Sequence, residues 1–88
     1  FLARYGGEEF VIIMPGADHG AAFEVADALR AGVEKTPFHY RGTKVPVTIS
    51  CGVAEFSGDE QPDHVFERAD AALYTAKANG RNRTEQAG

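Results

Sequence analysis

Residues 2–14 read Leu-Ala-Arg-Tyr-Gly-Gly-Glu-Glu-Phe-Val-Ile-Ile-Met, and this stretch decides the fold. The pair Gly6-Gly7 separates two apolar runs, and two glycines permit the positive φ angles that a tight hairpin turn needs. The run Val11–Met14 does not alternate with polar residues, which is typical of a strand covered on both faces. The stretch therefore predicts a β-hairpin whose second strand is buried and ends at Pro15-Gly16.

Two amphipathic helices are predicted after the hairpin. Asp18 is a suitable N-cap for the first helix, and Pro37 ends it shortly after Lys35. Its expected apolar face consists of Ala22, Val25, Ala26, Leu29 and Val33. Pro62 fits the first turn of the second helix, and Gly80 is the expected C-terminal stop. The apolar stripe of that helix is expected to be Val65, Ala69, Ala72, Leu73 and Ala76.

Two more strands are predicted between the helices, at Phe38–Arg41 and Val45–Glu55, joined through Gly42-Thr43. In the longer strand apolar residues alternate with small ones, which indicates one apolar face and one face of small groups. A short last strand is expected around Arg83–Gln86. Because hairpins join most of these strands, the order predicts an α+β fold with an antiparallel-rich sheet and flanking helices, not a doubly wound parallel sheet.

Length, charge and cysteine content exclude several classes of protein. The 88 residues suffice for one small domain, and the net charge of −4 leaves no broad basic surface for nucleic acid. No apolar run is long enough to span a membrane. The single cysteine, Cys51, fits a reducing, cytoplasmic compartment and reads as a small buried side chain rather than a reactive thiol. The chain opens at Phe1 inside a predicted strand, so we expect it to be a piece of a longer protein.

The predicted hairpin carries the first candidate site. Gly6 and Gly7 leave the backbone bare, so that a phosphate can approach its N–H groups. A carboxylate directly after them can hold a hard cation such as Mg²⁺. Successive strand residues point to opposite faces, so one of Glu8 and Glu9 is expected to bind the metal and the other to support it. Taken alone, two glycines followed by two acids more often form a plain turn with solvated charges.

The second predicted helix carries the other candidate site. Asp70, Tyr74 and Lys77 stand at i, i+4 and i+7, so they should share one helix face. Lys77 supplies a point charge and Arg81 a planar fork, and both suit the oxygens of a triphosphate. The alternative is that these two cations only complement the helix dipole at the C-terminal end.

Three segments together resemble the GGDEF family of diguanylate cyclases. Arg-Tyr-Gly-Gly-Glu-Glu-Phe at 4–10 is similar to its signature hairpin, in the Glu form. Ala-Asp-Ala-Ala-Leu-Tyr-Thr-Ala-Lys-Ala-Asn-Gly-Arg-Asn at 69–82 is similar to its closing helix, and Val-Thr-Ile-Ser-Cys-Gly-Val-Ala at 47–54 to one of its strands. The order and separations agree, and the resemblance covers essentially all of residues 1–88, which we interpret as the C-terminal part of a single GGDEF domain.

The resemblance implies a fold, a reaction and roles for particular residues. The fold is palm-like, similar to nucleotide cyclases and the ferredoxin-like sheet, and truncated here at its N-terminal side. The reaction condenses two GTP molecules into cyclic di-GMP and pyrophosphate with Mg²⁺ or Mn²⁺. Glu8 would be the catalytic, metal-binding carboxylate, with Glu9 in support. The substrate-binding residues would be Gly6, Gly7, Lys77 and Arg81. Asp70 and Tyr74 are expected to have structural roles in the helix and its packing.

The resemblance also implies partners and leaves alternatives. Catalysis needs a homodimer, since one domain holds one GTP, and an upstream sensory or receiver domain usually controls it. The parent could be membrane-anchored with this domain on the cytoplasmic side. A second metal-binding Asp and the Arg-x-x-Asp product-inhibition motif would lie upstream of Phe1, so the 88 residues alone are expected to be inactive. The alternative is a non-catalytic GGDEF module that binds GTP or cyclic di-GMP to regulate a partner domain. A purely structural dimerisation domain would leave the carboxylate and the two cations unexplained.

Overall fold

The computed structural model describes residues 2–4, 8–15, 20–56 and 58–87. Within those ranges the chain forms two helices and six strands. In chain order they are β1 (Leu2–Arg4), β2 (Glu9–Pro15), α1 (Ala21–Lys35), β3 (Phe38–Tyr40), β4 (Thr43–Val45), β5 (Ser50–Phe56), α2 (Pro62–Ala78) and β6 (Thr84–Gln86). The prediction is confirmed for the hairpin strands, both helices and the short last strand, but the structure has one more strand between the helices than predicted. The turn residues Gly6 and Gly7 lie outside the described residues.

The main sheet has four strands in the order β1-β2-β5-β6. β1 runs antiparallel to β2, as the predicted hairpin requires, with Ala3 opposite Val11. By contrast, β2 pairs with β5 in parallel, and β5 pairs with β6 in parallel. The prediction of an antiparallel-rich sheet is therefore wrong. Each helix carries the chain back to the edge of the sheet where the previous strand began, so the next strand runs in the same direction. The described chain is α+β with a mixed sheet.

The predicted long strand Val45–Glu55 is interrupted in the structure. β4 ends at Val45 and pairs only with β3, in a separate two-stranded sheet, and β5 begins at Ser50. Proline has no N–H to give to a ladder, so Pro46 marks the point where the chain leaves the small sheet. The tight turn lies at Arg41-Gly42, with φ angles of 52° and 80°, as a two-residue hairpin turn requires, and not at Gly42-Thr43.

The sheet is packed between the two helices. On one face, alternate residues of β2 and β5 meet α2, in a core formed by Val11, Ile13, Ala54, Val65, Ala69 and Leu73. On the other face the intervening residues meet α1, in a core formed by Ile12, Ala22, Ala26, Ile49, Cys51 and Val53. The predicted stripe of α2 is confirmed, since all five of its residues are buried. The prediction for α1 is wrong at two positions: Val25 is 54% and Leu29 38% exposed, because neither faces the sheet.

The ends of the helices follow from local chemistry. Gly20, with φ of 89°, precedes α1 as its N-cap, and its N–H donates to Glu55 Oε1 across 3.0 Å. The predicted N-cap Asp18 lies outside the described residues. Pro62 occupies the first turn of α2 and Gly80 follows its end with φ of 116°, both as predicted. Neither α1 nor α2, the helices of the described ranges, combines the length and apolar character that crossing a membrane takes.

Candidate functional site

An ion pair joins the two segments that the sequence singled out. Lys77 Nζ lies 3.0 Å from Glu9 Oε1, although 68 positions separate them in the chain. The pair forms because the parallel pairing of β2 and β5 places the start of β2 beside the C-terminal half of α2. The Lys77 side chain is 31% and the Glu9 side chain 27% exposed, so the ammonium remains within reach of solvent and of a ligand.

A cleft of about 260 Å³ surrounds this ion pair. It is lined by Glu9, Asp70, Leu73, Tyr74 and Lys77. The prediction that Asp70, Tyr74 and Lys77 share one helix face is thus confirmed. A packing role for Tyr74 is wrong, because its side chain is 73% exposed and forms part of the wall of the cleft.

Glu8 lies in a turn directly before β2 and is exposed. Its backbone carbonyl accepts a hydrogen bond of 3.0 Å from the N–H of Ser50, which fixes this position against the start of β5. Its carboxylate makes no hydrogen bond or ion pair in the described part of the chain, so it can bind a cation. Because Glu9 pairs with Lys77, the two neighbouring acids have different environments. The expectation that only one of them binds a metal stays a prediction.

Arg81 lies beyond the end of α2, in a turn of left-handed backbone. The φ angles of Gly80, Arg81 and Asn82 are 116°, 63° and 45°. The N–H of Arg81 donates to Ala76 O across 2.9 Å, which satisfies a carbonyl at the helix end. Its guanidinium makes no hydrogen bond or ion pair with the described residues, and it does not line the cleft around Lys77.

The start of β5 connects the turn of Glu8 with the turn of Arg81. The N–H of Ser50 bonds to Glu8 O on one side, and the N–H of Cys51 bonds to Arg83 O on the other, across 2.9 Å. Two strand spacings therefore separate the two turns, a distance of about 10 Å. Glutamate and arginine side chains can extend toward each other over that distance. Glu8, Glu9, Lys77 and Arg81 thus lie along the same edge of the sheet.

A polar cluster between α1 and the turn after α2 was not predicted. Arg30 lies at its centre and bonds to Asp27 Oδ1 across 2.7 Å, to Glu34 Oε1 across 3.3 Å and to Asn82 Oδ1 across 3.0 Å. The spacing of acids three residues before and four after Arg30 indicates a charged helix face. Nothing in the sequence shows that Asn82, 52 positions away, completes it.

This cluster sets an expected acid sensitivity. The hydrogen bond from Arg30 holds the pKa of Asp27 below its usual range; partial burial opposes this, and the Thr84 hydroxyl adds to it. A carboxyl with a lowered folded pKa stabilises the fold above its unfolded pKa, near 4, and that stability is lost as pH falls through the folded pKa.

We therefore expect the free energy of unfolding to fall with acidification below about pH 4. Asp27→Asn should remove part of this dependence and cost about 1 kcal/mol or less at neutral pH, since the carboxylate is partly exposed. Urea unfolding at a series of pH values measures both effects. Asp59→Asn, in an exposed loop, is the control. An unchanged pH dependence in Asp27→Asn would contradict the assignment.

The cysteine and the metal-ligating side chains give no further candidate site among the described residues. Cys51 is fully buried, which confirms the prediction of a small buried side chain, and burial raises the pKa of its thiol. Among the described residues no group of three or more His, Cys, Asp and Glu side chains is arranged to hold a metal ion.

Comparisons with known proteins identify the family of this chain. The family described as "Diguanylate cyclase, GGDEF domain" matches residues 1–83. Diguanylate cyclase DgcP of Pseudomonas aeruginosa is 46% identical over 87 residues, and diguanylate cyclase A of Treponema denticola 48% over 82 residues. The matches cover 99% and 92% of this chain but 13% and 22% of those proteins. Response regulator PleD of Caulobacter vibrioides is 45% identical over 83 residues, which cover 90% of this chain and 18% of PleD. The chain belongs to the GGDEF domain family of diguanylate cyclases.

Proposed function

We propose that this chain is the C-terminal part of a GGDEF domain, with a palm-like sheet when complete, that condenses two GTP molecules into cyclic di-GMP. The observation that carries the proposal is the contact between Glu9 and Lys77. It joins β2, which follows the two glycines in the chain, to α2, which carries Lys77 and precedes Arg81. Membership of the family supplies the reaction class, and the arrangement along one sheet edge fits a bound triphosphate.

The proposed roles follow from charge and exposure. Lys77 and Arg81 would hold the β- and γ-phosphates, and the turn that the sequence predicts at Gly6-Gly7 would let the backbone approach them. Glu9 would hold the Lys77 ammonium at the cleft through one hydrogen bond. The other N–H donors of the ammonium would face the ligand. Glu8 would supply one oxygen to a Mg²⁺ or Mn²⁺ ion, which usually takes one or two carboxylates together with substrate phosphates. When bound, the cation would neutralise the phosphate charge.

The product requires two domains. In cyclic di-GMP each 3′-hydroxyl has replaced the pyrophosphate on the α-phosphate of the other nucleotide, and one domain holds one GTP. We propose a two-fold dimer with the substrates between its halves. PleD is named a response regulator. By analogy, a receiver or sensory domain elsewhere in the protein would control dimer formation. GTP is a cytoplasmic nucleotide, so the proposed reaction places the domain in the cytoplasm.

The test is a GTP turnover assay on the full-length protein with Mg²⁺ or Mn²⁺, with chromatographic detection of cyclic di-GMP. We also propose that residues outside 1–88 supply a second metal ligand, so residues 1–88 alone should be inactive in the same assay. Binding of GTP by the full-length protein without any product would overturn the catalytic proposal and favour a regulatory module.

Lys77→Ala separates phosphate binding from a helix-end role. We expect the KM for GTP to rise by about tenfold or more, because a charge-assisted contact to phosphate is lost. The cost in folding stability should stay near 1 kcal/mol, as for other partly exposed ion pairs. Lys35→Ala is the matched control, since Lys35 is the cation in the last turn of α1. Equal effects of the two substitutions on KM would leave only the helix-dipole explanation.

A further inference from the structure

The turn that carries Arg81 is held from both sides by identified contacts. On the helix side, the N–H groups of Gly80 and Arg81 donate to Lys77 O and Ala76 O, across 3.3 Å and 2.9 Å. On the strand side, Arg83 O accepts from the N–H of Cys51. Left-handed backbone is disfavoured at arginine and persists only where the surroundings enforce it, whereas asparagine adopts it more readily. Arg81 and Asn82 both have such backbone, one after the other.

The Asn82 side chain links this turn to α1, which the backbone hydrogen bonds above do not reach. Its Oδ1 accepts from Arg30 Nη1 across 3.0 Å, and its Nδ2 donates to Glu34 Oε2 across 2.7 Å. Both ends of the amide therefore bind charged groups of α1, and hydrogen bonds to charged groups are the stronger kind. The amide cannot rotate without losing both bonds.

The groups that hold Asn82 are themselves fixed. The Arg30 side chain is only 17% exposed, and its Nε donates to Asp27 Oδ1 across 2.7 Å. Asp27 also accepts from Thr84 Oγ1 across 3.1 Å, on the first residue of β6. These contacts form one polar network, which links α1 to Asn82 through Arg30 and to Thr84 through Asp27. Arg81 directly precedes Asn82 in the chain.

We infer that Asn82, clamped by Arg30 and Glu34, is a positioning residue that holds the Arg81 backbone. The Arg81 guanidinium, which pairs with none of the described residues, thereby faces the triphosphate. This inference rests on the proposed function, because it takes Arg81 as a phosphate ligand. By this inference, α1 packs on the sheet and also holds the turn that carries Arg81. It fixes the cationic end of the nucleotide site from a helix that lines no part of the cleft around Lys77.

The primary test is Asn82→Gly in the full-length protein. Glycine adopts the left-handed backbone readily, so the substitution removes the amide contacts without adding backbone strain. We expect the KM for GTP to rise about tenfold while kcat changes by less than about threefold. Affinity for GMP, which has no β- or γ-phosphate, should stay unchanged. Asn79→Ala is the control, because the Asn79 amide in the same turn reaches Glu85 and not α1.

A double substitution shows whether Asn82 acts through Arg81. In an Arg81→Ala background, Asn82→Gly should have no further effect on KM, whereas a merely structural role would give the same loss in both backgrounds. An equal loss in both backgrounds overturns the inference. So does an unchanged KM in Asn82→Gly while Arg81→Ala raises it, and in that case the proposed function stands. An unchanged KM in Arg81→Ala itself overturns the phosphate role of Arg81 together with this inference, while turnover of GTP still tests the proposed reaction.

A milder pair of variants covers the case in which Asn82→Gly yields no soluble protein. Glu34→Ala removes the acceptor of the Asn82 amide at an exposed position and should raise KM about threefold. Glu34→Gln keeps an oxygen there and should restore most of the wild-type KM. A KM equally raised in Glu34→Gln and Glu34→Ala would contradict the clamp.

Discussion

Glu8→Gln should lower turnover of GTP by at least about a hundredfold while the domain stays folded. The substitution keeps the shape of the side chain and removes the negative charge that would hold the cation. The fold should not depend on that charge, because Glu8 contacts β5 through its backbone carbonyl, which accepts from Ser50, and its side chain is exposed.

Metal dependence makes this test specific. GTP affinity measured without a divalent cation should be the same in Glu8→Gln and wild type, since Lys77 and Arg81 remain. The difference should appear only when Mg²⁺ or Mn²⁺ is added. Glu67→Gln makes the same chemical change at an exposed position of α2 and should leave turnover intact. Full turnover by Glu8→Gln would exclude the proposed metal ligand.

Gly52→Ala should destabilise the domain by about 3 kcal/mol or more, a large part of the total stability of a small domain. Gly52 lies in the middle of β5, where the backbone of α2 comes closest to the sheet. A Cβ atom there would overlap Ala69 O and Leu73 N and lie 2.8 Å from Leu73 Cα. These are backbone atoms, so no change of rotamer relieves the clash and α2 must move. Because α2 carries Lys77, GTP turnover should fall with it.

Gly32→Ala is the matched control for this prediction. Gly32 lies on the exposed side of α1, and a Cβ there would meet nothing within 4 Å. Alanine is favoured over glycine in a helix interior, so this variant should be more stable by up to about 1 kcal/mol. Urea unfolding of the two variants against wild type measures both effects. A Gly52→Ala variant as stable as wild type would mean that α2 does not pack on β5 as described.

The parts of the fold that depend on local sequence could be predicted. The hairpin, both helices, the α2 stripe and the last strand follow from turn residues and periodicity. The parts that depend on tertiary contacts could not. The alternation of apolar and small residues predicted one strand over Val45–Glu55, although Pro46 separates two strands that belong to different sheets. The pattern could not predict the direction of the strands either, because the side-chain period is the same in parallel and antiparallel pairs.

The candidate site divides in the same way. Residue type and spacing indicated a cation ligand at Glu8 or Glu9 and phosphate ligands at Lys77 and Arg81, and only the resemblance to the GGDEF family selected Glu8. Spacing also placed Asp70, Tyr74 and Lys77 on one face. They did not indicate that Glu9 pairs with Lys77 or that Asn82 is held by Arg30. Both contacts join residues more than fifty positions apart, so only the packing of α1 and α2 on the sheet brings them together.

The small sheet of β3 and β4 offers a site at which a reporter can be inserted for studies in living cells. All six of its strand residues are exposed, and within the described ranges it shares no ladder with the four-stranded sheet. Exposed loop tips of this kind tolerate inserted sequence best. A fluorescent reporter placed at Arg41-Gly42 would therefore track where the protein accumulates while leaving the nucleotide edge untouched.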